Sequence, residues 1–247
     1  MGQKKLKRFA EIATFKNVLE YPTDTAGSWS AHFENNNPIV LELACGKGEY
    51  SIGLASMHPN QNFIGIDIKG NRIWVGAKKA MDQSLNNVAF IRSQIGLIEN
   101  YFAKEEISEI WLPFPDPQLR AAKCKRRLTH PSFLRKYKQL LKPSGYIHLK
   151  TDSPVLYNFT KRVIELYGLE LFYDSSDIRE DVKQIPELLI KTHYESLDIA
   201  KSNRIHYLKF AISSELDPTK DDILLEMTKE VEKDHNEGVI DNEKEID

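Results

Sequence analysis

The sequence predicts an α/β fold, a mostly parallel sheet with helices on both faces. Three observations predict it. Short apolar runs rich in β-branched residues alternate with stretches of helical period along most of the 247-residue chain. The first run, Ile39–Leu43, enters the turn Ala44-Cys45-Gly46-Lys47-Gly48 and then a helical stretch, as the first βα unit of a nucleotide-binding sheet does. Polar residues follow the later runs, where a parallel sheet collects its ligands.

The elements follow in chain order. Residues 1–37 are polar and lack a clear period, with Lys4, Lys5, Lys7 and Arg8 close together. They read as a basic, partly disordered arm that orders on a polyanion, with Phe15, Tyr21, Trp29 and Phe33 packing its later part on the domain. A domain spans 38–213. Its first strand and the helix Glu49–Ala55 precede a strand at Phe63–Ile68. A helix at Asn71–Leu85 places Ile73, Ala77, Ala80 and Met81 on one side. A strand at Val88–Ile91, a helix at Ile95–Phe102 and a strand at Glu109–Leu112 come next. The helix Pro131–Leu141, with proline in its first turn after Thr129 or His130, turns Phe133, Tyr137 and Leu140 inward. Strands at Tyr146–Leu149, Leu169–Tyr173 and Ile205–Ala211 and a helix at Val155–Tyr167 complete the pattern. The long irregular segment Asp174–Asn203 is the kind of connection that carries function. Residues 214–247 are an acidic tail.

Charge separates along the chain. Residues 217–247 hold twelve acids against four lysines, a net of −8 against −2 for the whole, which leaves +6 on residues 1–216. A basic body is the footprint of a nucleic-acid binder, and equally of a solvated basic surface. The two cysteines, Cys45 and Cys124, are too few for a disulfide framework and suit a reducing cytoplasm. With no His pair beside them they make no metal site. No apolar run approaches a membrane span, and the N-terminal stretch lacks the apolar core of a secretory signal.

The glycine turn identifies a ligand class. A dinucleotide fingerprint needs a third glycine, and Ser51 stands in its place. Instead Glu42 lies in the strand four residues before Gly46, and Asp67 ends the next run. An acid at the second strand end suits ribose hydroxyls. An acid before the glycines suits a cationic ligand end. Gly46 and Gly48, without a Cβ, let a ligand lie on the backbone. The set favours S-adenosylmethionine over NAD, with a tight turn that binds nothing as the alternative. The other strand ends contribute Ser93 and Gln94, then Phe114-Pro115-Asp116-Pro117, then Thr151 and Asp152. After the rigid proline loop come Arg120, Lys123, Lys125, Arg126 and Arg127, five cations in eight residues, suited to phosphates. Arg127 has a second reading, pairing with an acid to hold the loop.

These motifs resemble the bacterial tRNA (guanine-N7-)-methyltransferase family, a class I S-adenosylmethionine-dependent group. The resemblance lies in LELACGKGEY at Leu41–Tyr50, FIGIDIKGNRI at Phe63–Ile73, FPDP at Phe114–Pro117 with KRRL at Lys125–Leu128, LKPSGYIHLKTD at Leu141–Asp152, and THYE at Thr192–Glu195. They are collinear and span Pro38 to Phe210. The glycine turn is common to class I enzymes, and FPDP followed by KRRL is specific to this family.

The resemblance implies a Rossmann-like seven-stranded sheet with an antiparallel last strand. It implies that Glu42, Asp67, Gln94 and Asp116 join Gly46 and Gly48 in holding S-adenosylmethionine, and that Arg120, Asp152, Thr192, His193, Tyr194 and Glu195 contact tRNA. The target it implies is a variable-loop guanine. Four departures stand out: Gln94 replaces an acid, Arg120 a lysine, Ala44 a common glycine, and the loop lacks a tryptophan after its second proline. Guanine N7 carries a lone pair and no proton, so the transfer needs no general base and rests on orientation. The catalytic residue is expected to be Asp116, stabilising charge on the product ring, with Asp152 or Glu195 binding the guanine N1–H and amino group. A non-catalytic tRNA binder with a degenerate pocket, and a class I methyltransferase for another RNA or a small molecule, are the alternatives.

Overall fold

An unbroken apolar run needs cover on both faces, and the computed structural model gives β2 (Ile39–Leu43) that cover: all five of its residues are buried. The structure describes residues 2–180, 184–197 and 204–244. Met1 of the arm, the last three residues of the acidic tail, and 181–183 and 198–203 of the irregular segment lie outside them. β2 runs parallel to β3 (Asn62–Asp67) on one side and β5 (Ile107–Pro113) on the other. β4 (Val88–Arg92) extends the sheet beyond β3, and β6 (Leu141–Thr151) beyond β5, again in parallel. β8 (His206–Ala211) then lies between β6 and β7 (Glu170–Ser175), antiparallel to both. This is the expected sheet with its antiparallel last strand. One strand is added: β1 (Val18–Glu20) pairs in parallel with β4, giving the order β1-β4-β3-β2-β5-β6-β8-β7.

Helices cover both faces. On one, Leu41, Leu43, Ile64, Ile110 and Leu149 pack with Trp29 and Phe33 of α2 (Trp29–Phe33), Tyr137 of α5 (Pro131–Leu140), Phe159 of α6 (Pro154–Tyr167) and Leu224 of α7 (Lys220–Lys244). On the other, Val40, Phe63, Phe90 and Trp111 pack with Ile12 of α1 (Gly2–Ile12), Tyr50 of α3 (Glu49–Met57) and Ile73 and Ala77 of α4 (Gly70–Asp82). His130 caps α5 by accepting from the Ser132 N–H at 3.1 Å, with Pro131 in the first turn as expected. Leu134 takes the buried position there, and Phe133 is half-buried. The stretch after β4 closes as a short 3₁₀ turn, Ile95–Asn100, rather than a longer helix.

The ends of the chain are the main difference from the sequence reading. The stretch read as a partly disordered arm holds α1, β1 and α2. Ile12 is buried, and the Glu11 carboxylate accepts from Trp74 Nε1 at 2.8 Å. Few apolar residues in α1 face the domain, so its period is hidden under lysines. The acidic tail includes α7, which rests on α6 and on the 3₁₀ turn Ala121–Arg126. Arg135 pairs with Asp221, and Glu232 accepts from the Ala121 N–H at 2.9 Å. No described helix is long and apolar enough to cross a membrane.

Candidate active site

Parallel pairing from β4 through β6 puts five strand ends on one edge of the sheet, and the β2–α3 turn lies at its centre. Ala44, Gly46 and Gly48 there all have left-handed φ, at 57°, 57° and 66°. Alanine holds that region with strain that glycine would not carry. At Gly48 the constraint is tighter, because a Cβ would lie 2.4 Å from the buried Phe90 ring. Asp67 braces the turn. Its Oδ2 accepts from the Gly46 N–H at 2.9 Å and its Oδ1 from the Lys69 N–H at 2.7 Å. Glu42 is buried beneath, with Oε2 accepting from the Ser51 N–H at 2.7 Å and the Ser51 hydroxyl at 2.5 Å. Ser51 therefore serves the acid, which accounts for its presence where a dinucleotide site has glycine. Burial pushes the Glu42 carboxyl up to about 8 against those two donors, with Glu49 and Asp67 adding to the rise.

The THYE segment reaches this turn from the connection between β7 and β8. The Tyr194 ring lies 3.9 Å from where a Cβ of Gly46 would sit, and Arg72 stacks on it 5.3 Å from its centre. Thr192 is buried, and its hydroxyl accepts from the Glu195 N–H at 3.1 Å. His193 is exposed beside Tyr194. Beyond the ends of β5 and β6 a cleft of about 290 Å³ is lined by Phe114, Asp152, Asp177, Arg179, Glu195, Arg204 and Ile205, and a separate pocket of about 310 Å³ against the turn is lined in part by Lys47, Glu49, His193 and Tyr194. A groove of about 720 Å³ around Asn17, Phe33 and Leu85 lies at the opposite, amino-terminal edge of the strands.

The structure thus gathers Glu42, Gly46, Gly48, Asp67 and Tyr194 at the turn, and Asp152 and Glu195 in the cleft. Gln94, Asp116 and Arg120 are exposed at the rim. The Asp116 carboxylate accepts from the Gln118 N–H at 3.0 Å, in a loop whose Phe114 and Gln118 both have positive φ. Arg127 departs from the expected phosphate surface. It is 1% exposed, and its guanidinium donates to the carbonyls of Pro117, Gln118 and Leu119 at 3.1–3.3 Å while lying over the Phe159 ring. It holds the loop, through backbone carbonyls rather than an acid. Lys123, Lys125 and Arg126 remain exposed.

Sequence reasoning missed Lys150, one residue before the end of β6. It is fully buried, and its ammonium donates to the Leu188 carbonyl at 2.9 Å, the Ile190 carbonyl at 3.1 Å and Glu195 Oε2 at 2.9 Å. Burial pulls its pKa below the usual lysine value, and Glu195 opposes the fall. The signal was present, since a lysine inside a strand covered on both faces must find a partner.

Comparison with known proteins gives the family. A family model described as "Putative methyltransferase" matches residues 36–208. The tRNA (guanine-N(7)-)-methyltransferase of Christiangramia forsetii is 47% identical over 223 residues, 86% of this chain and 100% of that protein. The chain belongs to the tRNA (guanine-N7-)-methyltransferase family. A second member, from Bacteroides thetaiotaomicron, is 43% identical over 87% of this chain and 88% of its own length. Among solved structures, an antibiotic-related methyltransferase superposes with a TM-score of 0.58 at 15% identity, over 79% of this chain and 96% of that one. The 16S rRNA methyltransferase KamB superposes with a TM-score of 0.54 at 15% identity, over 75% and 94%. At that identity the likeness places this family member in the class I methyltransferase fold and goes no further.

Proposed function

We propose that this chain transfers a methyl group from S-adenosylmethionine to N7 of a guanine in the variable loop of tRNA. The observation that carries the reading is that two subsites share one sheet edge. The glycine turn, with Asp67 and Glu42 beneath it, lies at the end of β2, and the cleft that holds Asp152 and Glu195 lies beyond the ends of β5 and β6. Tyr194 and Glu195, neighbours in sequence, reach one subsite each.

The residues fit the cofactor. The left-handed turn presents backbone to a ligand, Asp67 suits ribose hydroxyls, and a buried Glu42 is completed by a nearby positive charge. S-adenosylmethionine supplies a methyl group on a positively charged sulfur. The chain supplies orientation. Asp152 and Glu195 hold the guanine N1–H and amino group, so that N7 is aimed without a base. Asp116 contributes negative charge near the purine as it becomes cationic. Arg120, Lys123, Lys125 and Arg126 bind phosphates outside the cleft. Residues 38–213 carry the catalytic site, β1 of the arm extends their sheet, α7 of the tail packs on them, and the free thiols Cys45 and Cys124 suit work in the cytoplasm.

The test is incubation of unmodified tRNA with the protein and S-adenosylmethionine, followed by nucleoside mass spectrometry. N7-methylguanosine from the variable loop is expected. Binding of both ligands with no methylated product overturns the reading.

A further inference from the structure

Lys150 meets the FPDP loop, Tyr50 and the 186–195 segment without facing solvent. Its backbone carbonyl accepts from the Phe114 N–H at 2.7 Å, fixing the first residue of the FPDP loop. Its ammonium lies between two rings, 5.3 Å from the centre of Tyr50, which follows the glycine turn, and 5.4 Å from that of Phe114. Its three donors go to Leu188, Ile190 and Glu195, all in the connection between β7 and β8. That connection has only short 3₁₀ turns among its described residues, at Ile178–Glu180, Pro186–Leu189 and Glu195–Leu197. A buried ammonium needs a negative partner and full hydrogen bonding, and Glu195 with the two carbonyls meets both needs. The same bond fixes Glu195 Oε2 and so sets how its carboxylate faces the cleft shared with Asp152.

We propose that Lys150 is a positioning residue for methyl transfer: it pins the 186–195 segment to β6 and acts through Glu195, whose carboxylate it aims at the guanine. The inference rests on the proposed function, because Glu195 matters in this way only if a guanine occupies the cleft. Lys150 itself touches neither substrate nor cofactor.

A double-mutant cycle tests it, with Lys150→Met, Glu195→Gln and both together, read by steady-state methylation of tRNA and by calorimetric titration with S-adenosylmethionine. Each single variant is expected to lower kcat/KM for tRNA by about 100-fold, the scale of a misplaced reacting group. The double variant is expected to fall no further than the weaker single, with cofactor affinity within about twofold of the parent throughout. A purely structural lysine gives multiplying losses and a parallel loss of cofactor affinity, and either result overturns the proposal. If Lys150→Met is unfolded by circular dichroism, Lys150→Arg takes its place, keeping the charge but shifting its donors. Its loss of activity is then expected to vanish in the Glu195→Gln background, and a loss that persists there overturns the proposal. A parent that binds tRNA and cofactor but makes no product overturns the functional reading and this inference together. An active parent with multiplying losses overturns this inference alone.

Discussion

At the scale of single residues, the site depends on acids whose surroundings differ sharply. Asp116 is exposed between prolines, and its carboxylate accepts from the backbone two residues on. Asp116→Ala is therefore expected to abolish methylation while leaving the fold and tRNA affinity close to the parent. Near-normal turnover would remove it from the catalytic role. Glu42 is buried and holds its proton at neutral pH, titrating at about 8. A cationic ligand end favours its carboxylate, so cofactor affinity is expected to rise with pH toward 8, and Glu42→Gln to flatten that rise. Stability moves the other way. The folded state binds this proton more tightly than the unfolded chain, so ligand-free stability due to Glu42 is full below pH 4.5 and is lost as pH climbs through about 8. Titrations and urea melts at pH 6 and 8.5 check both signs, and equal values for the parent and Glu42→Gln would reject the assignment. Glu42 and Asp67 were legible in sequence because acids at strand ends beside glycines have few other uses. For Lys150 the sequence signals only that a buried lysine needs partners, and not which, because its three acceptors lie 38 to 45 residues away.

At the scale of elements, Arg127 shows how a cation cluster divides. Arg120–Arg127 is one basic stretch in sequence. The 3₁₀ turn Ala121–Arg126 points Lys123, Lys125 and Arg126 outward, and Arg127 just after it points in, under the proline loop. Arg127→Ala leaves three backbone carbonyls without their donor, and a loss of about 1–3 kcal/mol is expected in chemical denaturation. Unchanged stability would return Arg127 to the RNA-facing surface. The interior strands and helices were legible because their periods are strong. The terminal elements were not. Among its described side chains, α1 meets the domain through Arg8, Phe9, Glu11 and Ile12, and α7 buries Leu224 and Thr228 beneath a run of surface charge. Composition spoke louder than period in both.

At the scale of the whole molecule, the charge is arranged with a purpose the net value hides. The acidic α7 lies against the basic turn, so the tail is part of the electrostatic surface there rather than a distant appendage. A cation that neutralises a phosphate releases counterions, and the slope of log affinity against log salt is about −0.7 to −0.9 per phosphate neutralised. Replacing Lys125 and Arg126 by alanine is expected to make the tRNA slope shallower by about that much for each phosphate left unneutralised, without changing cofactor affinity. A filter-binding salt series with parallel lines for the two proteins would take these residues off the RNA. Class and strand direction were legible because strands and helices alternate, whereas the eighth strand was not, since three residues make no pattern. The order of the sheet bears finally on how the chain is made. β8 is the last of the described strands to leave the ribosome, yet it lies between β6 and β7. Until His206–Ala211 emerge, β6 presents an open hydrogen-bonding edge and β7 has no neighbour to pair with. A nascent or prematurely terminated chain is therefore an aggregation hazard through its growing end. Newly made protein becomes safe from that edge only late in synthesis, and the same late insertion brings the Lys150-anchored segment onto a sheet whose other strands are already in place.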